Sequence, residues 1–341
     1  MTGQTTWNEL VSQPDAWSHL IARLDRGDGV PPLSLERFDD VVLVGSGTSY
    51  YLALAGMDWV RRRYAVPVRA VPSCEVMLDP IESRPMPGRR RLVVAISRSG
   101  ESSELVWAVE LFQAAGDTVL GVSCAAGSSL LQLADWPFLI REGHEDGLVM
   151  LRSFTSMLIA IQHLFGSDAD RAVLRHLPAA GRAALDHGEA VRAIVNRRVF
   201  NRFVFLASGS SYALALEASL KVQEMSIATS EAYHSLEYRH GPKATADERT
   251  LVTLFALPEP ALGVALARDV KALGATLLVI GADSDDYDGI ADMVVARPDG
   301  IGDGPANTVN LLPAQILAFE HARRCGKDPD APVNLSKVVL L

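Results

Sequence analysis

The sequence predicts an α/β protein made of two tandem, doubly wound parallel-sheet domains. Three observations carry that expectation. Short apolar runs, such as 41–44 and 92–96, alternate with amphipathic stretches, such as 50–63 and 104–114, as in a parallel sheet covered on both faces. The segment 42–54 aligns without a gap on 204–216, with Val42-Leu43-Val44-Gly45-Ser46-Gly47-Thr48-Ser49 falling on Val204-Phe205-Leu206-Ala207-Ser208-Gly209-Ser210-Ser211, so one α/β unit occurs twice. At 341 residues the chain is long enough for each copy to bury its own core.

Taken in order, residues 1–35 read as a helical arm, with Leu10, Trp17, Leu20, Ile21 and Leu24 on its apolar side and Pro14 breaking it. Trp7 and Trp17 are expected to be packing anchors. The first domain, 36–180, has strand-like segments at 41–44, 68–71, 92–96, 118–122 and 136–140. Helical stretches at 50–63, 104–114, 130–133 and 151–164 alternate with them, and 165–195 reads as a helical linker. The second domain, 181–341, repeats the unit with strands at 204–207, 251–257, 276–280 and 293–296. Helices at 261–273 and 311–324 follow, then a C-terminal tail.

Composition excludes several classes of partner. Hydrophobic content of 48% and charged content of 21% describe a globular chain, and a net charge of −9 without a basic run argues against nucleic acid or anionic lipid. An anionic substrate would then be held by local donors. Cys74, Cys124 and Cys325 have no metal or disulfide spacing, and no signal-peptide pattern or membrane span is evident, so a cytoplasmic protein without a metal or other cofactor is expected.

The first chemical signal is Ser97-Arg98-Ser99-Gly100-Glu101-Ser102, lying between an apolar strand and a helix whose apolar positions are 105, 108, 109 and 112. Unpaired N–H groups and the positive end of the dipole suit an anion there, and three hydroxyls add donors. The functional reading is a cradle for one phosphate monoester; the plainer one is a serine-rich turn capping its helix. The second copy has no such cradle at 259–264. It carries Glu217, Lys221 and Glu224 on one helical face instead, where the first copy has Ala55, Trp59 and Arg62. One copy is thus expected to hold an anion and the other to move protons, in one composite site. A surface ion pair is the plain reading of Glu217 and Lys221. His240 is a candidate general acid/base, and Lys337 a candidate partner for an open-chain carbonyl, against a solvated terminal lysine. The other seven histidines have no metal-binding spacing.

Gly-Ser-Gly-Thr-Ser at 45–49, Ser-Arg-Ser-Gly-Glu-Ser at 97–102, Leu-Glu-Ala-Ser-Leu-Lys-Val-Gln-Glu at 216–224 and Arg-His-Gly-Pro-Lys at 239–243 resemble the sugar isomerase (SIS) family. The resemblance covers residues 36–341 and implies two five-stranded, flavodoxin-like parallel-sheet domains. It implies that Ser49, Ser97, Ser99 and Ser102 hold a 6-phosphate with the loop N–H groups, that Thr48 belongs to the same substrate site and that Ser46 lies near the sugar; Arg98 stands where glutamine is common and is expected to add a charge-assisted bond to the phosphate. By the same resemblance Glu224 moves a proton between C1 and C2, and His240 opens the ring from a neighbouring subunit, hence a homodimer. Glu217 and Lys221 support the amine or open-chain sugar, and Lys337 matches a tail lysine. The implied activity is an amino-sugar-6-phosphate deaminase/isomerase, the degradative direction being expected because no amidotransferase domain precedes the first sheet. Aldose–ketose isomerisation, fructosamine-6-phosphate deglycation and a non-catalytic phosphosugar sensor are the alternatives. The segment 147–152 departs from the family pattern, which leaves the sugar open.

Overall fold

A computed structural model describes residues 2–79 and 81–341. The chain opens with helices α1 (Gln4–Val11) and α2 (Gln13–Asp25). Pro14 lies at the second position of α2, where a missing N–H breaks no helical bond, so it starts a helix rather than interrupting one.

The first sheet follows: β1 (Asp40–Gly45), α3 (Thr48–Arg61), β2 (Val68–Pro72), α4 (Ser73–Leu78), β3 (Arg91–Ser97), α5 (Ser103–Ala114), β4 (Thr118–Ser123), α6 (Ser129–Leu133), β5 (Trp136–Leu139) and α7 (Arg152–Phe165). Its five strands are parallel in the order β2-β1-β3-β4-β5. Three short helices, α8 (Asp168–Leu174), α9 (Leu177–Leu185) and α10 (Gly188–Asn196), occupy the expected helical linker. The second sheet comprises β6 (Arg202–Ala207), α11 (Tyr212–Ser226), β7 (Thr229–His234), β8 (Thr250–Phe255), α12 (Pro260–Ala272), β9 (Thr276–Ala282), β10 (Met293–Ala296) and α13 (Asp303–Arg324). Its order, β10-β9-β8-β6-β7, is the first sheet's order read from the other edge, and it too is all parallel. The expected fold class, two five-stranded doubly wound domains, is what the chain adopts. β1, β3, β6, β8 and β9 are buried along their whole length or nearly so, which is why they read as continuous apolar runs.

By contact the chain divides into one unit of residues 15–175 with 336–341 and another of 1–14 with 176–335. The two halves of the N-terminal arm therefore have different homes. In α1, the Thr5 and Thr6 N–H groups donate to the Asp330 carboxylate (3.0 and 2.7 Å), and Trp7 packs on Phe319. In α2, Trp17 is fully buried and its Nε1 donates to Thr155 Oγ1 (2.9 Å). Both tryptophans are the anchors expected of them. The last six residues pack with the first sheet, a placement that no local pattern announces.

Candidate functional site

β1 and β3 are hydrogen-bonded neighbours, with Val44 beside Ala95, yet not consecutive strands. The loops leaving their C-terminal ends, 45–48 and 97–102, therefore emerge side by side at the place where doubly wound sheets bind ligands. Ser46 Oγ donates to Glu104 Oε2 (3.3 Å), joining the first loop to the first turn of α5. Thr48 and Ser49 are buried at the start of α3.

Within the second loop, Ser97 Oγ accepts the Gly100 N–H (3.0 Å) and Ser99 Oγ accepts the Glu101 N–H (3.2 Å). Each hydroxyl that accepts keeps its own proton to donate. Ser102 is the N-cap residue of α5 but makes no side-chain capping bond, which is the bond the plain turn reading requires. Gly100 has φ 68°, and a Cβ there would strike the Ser128 hydroxyl, so only glycine permits this tight turn. Glu101 faces away from the loop, accepting from the Ser129 N–H (2.9 Å) and Oγ (2.7 Å) at the start of α6. The loop is thus rich in donors and keeps its carboxylate occupied elsewhere.

Arg98 is nearly buried, and its guanidinium reaches Gly147 O (3.2 Å), Glu145 Oε2 (3.6 Å) and Lys337 O (3.5 Å). Lys337 Nζ donates to the carbonyls of Glu145 (2.8 Å) and Asp146 (3.0 Å). Lys337 therefore belongs with the first sheet and with Arg98. Glu145 caps α7, accepting from the N–H groups of Leu151 (2.8 Å) and Ser153 (3.1 Å). The sequence singled out none of this for Glu145, because an acid inside an irregular loop has no periodicity to mark it. Burial, with Glu145 nearby, pushes the Cys124 thiol far above its ordinary range, so it stays protonated and is no nucleophile.

In the other unit, α11 presents Glu217, Lys221 and Glu224 on one face. Lys221 and Glu217 are fully buried and 3.2 Å apart; the Glu224 side chain is 17% exposed and 2.5 Å from the ammonium. Burial alone would lower the Lys221 pKa, but Glu217 and Glu224 together outweigh it and raise the ammonium above its usual range. A surface ion pair is therefore excluded. The matching face of α3 carries Ala55 and Trp59, both buried, and an exposed Arg62 paired with Asp58 (2.6 Å). His240 is exposed after a short helical turn, its N–H donating to Glu237 O (2.9 Å). His234 stacks on Tyr212 at the start of α11, their ring centroids 3.6 Å apart, a contact that no spacing in the sequence signals.

The second Ser-Gly-Ser-Ser loop is used differently from the first. Asn307 of α13 donates to Ser210 O (2.8 Å) and accepts from Ser211 Oγ (3.0 Å), so the protein's own amide occupies one hydroxyl of that loop.

A family model described as "SIS domain" matches residues 34–167 and 198–287. A glutamine–fructose-6-phosphate aminotransferase from Acidithiobacillus ferridurans is 32% identical over 335 residues, covering 92% of this chain and 53% of that protein. The chain spans about half the length of the curated relatives it matches. Among solved structures, glucosamine-6-phosphate deaminase from Thermotoga maritima is similar at a TM-score of 0.81 and 26% identity, covering 99% of this chain and 100% of that one. Tagatose-6-phosphate ketose/aldose isomerase from Escherichia coli is similar at a TM-score of 0.87 and 25% identity, covering 97% and 95%. No helix among the described residues is long and apolar enough to cross a membrane.

Proposed function

The chain belongs to the SIS domain family, as an enzyme of the phosphosugar-isomerase type, and from that premise we infer that it is an amino-sugar-6-phosphate deaminase/isomerase. It converts a hexosamine 6-phosphate into a ketose 6-phosphate and ammonia. The observation that carries this reading is the α11 trio: a partly exposed Glu224 backed by a fully buried lysine and a second carboxylate. A carboxylate held in place at the edge of the interior is the arrangement a proton-transfer base needs.

Ser97, Ser99 and Ser102, with Ser49 and the loop N–H groups, take the phosphate; Ser46 and Thr48 lie beside it. His240 protonates the ring oxygen and opens the hexose, reaching the substrate from the second subunit of a homodimer. Glu224 takes the C2 proton and returns it to C1, so the amine at C2 passes through an enolamine to a ketimine. Water adds to the ketimine carbon, the C–N bond breaks and ammonium leaves. Glu217 and Lys221 keep Glu224 oriented, while the Lys337 ammonium holds the carbonyls of Glu145 and Asp146 and stays out of the chemistry. The working compartment is the cytoplasm. The likeness to a ketose/aldose isomerase supports a second reading, the same proton transfer on a 2-hydroxy sugar with no ammonia released.

Incubation with a panel of hexose and hexosamine 6-phosphates, scoring ammonium, free amine and ketose separately, decides between them. Ammonium and ketose in equal amounts support the deaminase, and ketose alone from a neutral sugar phosphate supports the isomerase. Phosphosugar binding without any product returns the chain to a sensor role.

A further inference from the structure

We propose that Arg98 is a positioning residue, fastening the loop 144–151 and the C-terminal segment to the serine loop without contacting the phosphate. The proposal deepens the function inferred above and rests on it for the identity of the substrate.

Arg98 sits in the middle of the donor-rich loop, where its charge would be expected to meet an anion, yet its guanidinium is already committed. Nη1 lies 3.2 Å from Gly147 O and 3.6 Å from Glu145, and Nη2 3.5 Å from Lys337 O. The backbone of Arg98 is fixed as well, its carbonyl accepting from the Cys124 N–H (3.2 Å) and Ser123 Oγ (3.1 Å). Two of these partners have further attachments. Glu145 is buried and caps α7 through Leu151 and Ser153, and Lys337 Nζ returns to the carbonyls of Glu145 and Asp146. The tail then continues onto the cradle helix: the Ser103 N–H donates to Val339 O (3.3 Å), and the Leu341 N–H donates to Ser103 Oγ (3.2 Å).

One planar guanidinium thus meets an acid and two carbonyls, one of them in the tail, a task its rigid fork of donors suits. A glutamine there has one amide to donate and no charge to offset the buried Glu145. The loop 144–151 follows β5 and rises from the same end of the sheet as 97–102, so it faces the part of a ligand beyond its phosphate. Arg98 sets the distance between the loop that grips and the loop that faces the rest of the molecule. A displacement of about 1 Å in such a frame costs up to about 100-fold in rate.

Three measurements on Arg98→Gln separate positioning from phosphate contact: calorimetric binding of inorganic phosphate, release of C-terminal residues by carboxypeptidase, and kcat and KM on whichever sugar phosphate the parent turns over. The expected result is phosphate affinity within about threefold of the parent, faster tail release, and kcat/KM lower by about 10- to 100-fold. Arg98→Lys keeps the charge on Glu145 and recovers part of the rate. Should the glutamine variant not fold, the lysine variant takes the same measurements, with intermediate tail release and intact phosphate affinity expected. A tenfold loss of phosphate affinity with tail release unchanged makes Arg98 a phosphate ligand and overturns the proposal, and so do parent-like values in all three. If the parent turns over no sugar phosphate, the proposed function fails by itself, because phosphate affinity and tail release still decide the role of Arg98.

Discussion

Replacing Lys221 by methionine removes the cation that joins the two acids of the α11 trio. Lys221 and Glu217 have no exposed surface, and the ammonium is 3.2 Å from Glu217 and 2.5 Å from Glu224. Methionine fills much of the same space, so the loss is electrostatic rather than a cavity. It takes from the buried Glu217 the ammonium that lies 3.2 Å away. Removing one member of a buried pair costs about 3–5 kcal/mol, a large share of the roughly 5–15 kcal/mol that keeps a domain folded. At about 1.4 kcal/mol per decade, α11 amides should exchange about 10²- to 10⁴-fold faster in Lys221→Met. Hydrogen exchange suits this chain, because two units need not unfold in one step and α11 is read directly. Removing both charges, in Glu217→Leu with Lys221→Leu, should recover most of the protection.

The same variant carries a pH signature. A buried carboxylate that loses a neighbouring cation shifts towards its protonated form, while in the unfolded chain a glutamate loses its proton near about pH 4.3. The folded state of Lys221→Met then binds a proton that the unfolded state has released, so its stability falls as pH rises above that value. Protection of α11, corrected for intrinsic exchange, should be closer to the parent's at pH 5 than at pH 8. A change below about threefold at pH 8 would refute the view that this trio is interior and mutually dependent.

Glu224→Gln is expected to keep phosphosugar binding and lose about 10²- to 10⁴-fold in turnover, and parent-like ammonia release would remove Glu224 from the base role. Gly100→Ala should abolish binding of inorganic phosphate, since the left-handed turn and the Ser128 hydroxyl both exclude a Cβ; calorimetry reads it. His321 is buried, and that burial, with Arg324 adding to it, lowers its pKa to about 4. A depressed pKa contributes stability above the unfolded value near about 6.5 that is lost as pH falls towards about 4, on the order of 3 kcal/mol. His321→Phe should flatten that acid limb in exchange measurements on α13, and an unchanged limb would show that another group sets it.

The legible parts of the fold are those where burial writes a pattern. β1, β3, β8 and β9 are covered on both faces and appear as apolar runs, and the repeat was visible because the strand, loop and first helical turns were kept in both copies. β7 escaped because it is an edge strand, only partly buried, and Thr-Ser-Glu-Ala-Tyr-His has no apolar run. The first turns of α13 escaped for the opposite reason. Residues 303–310 contain Gly, Pro and Asn, which read as breakers, but they pack into the interior and the helix runs on through Pro313. The serine loop and the α11 trio could be named from spacing alone. The attachments of Arg98, Glu145 and Lys337 could not, since they depend on which unit the last six residues join, and sequence separation says nothing of that.

On the proposed function, one topology carries two kinds of chemistry. Both sheets have the same strand order, so both place a strand-to-helix loop at the same switch point. In the first, the Ser97 and Ser99 hydroxyls hold a tight turn, and the helix after β1 is lined by Ala55 and Trp59, which offer no proton chemistry. In the second, Asn307 ties down the equivalent loop while the helix behind it buries a lysine between two acids. A buried charge needs a closed, well-packed surround to be tolerated, and an anion cradle needs open donors. One α/β unit meets both demands poorly at the same loop, and duplication lets each copy meet one.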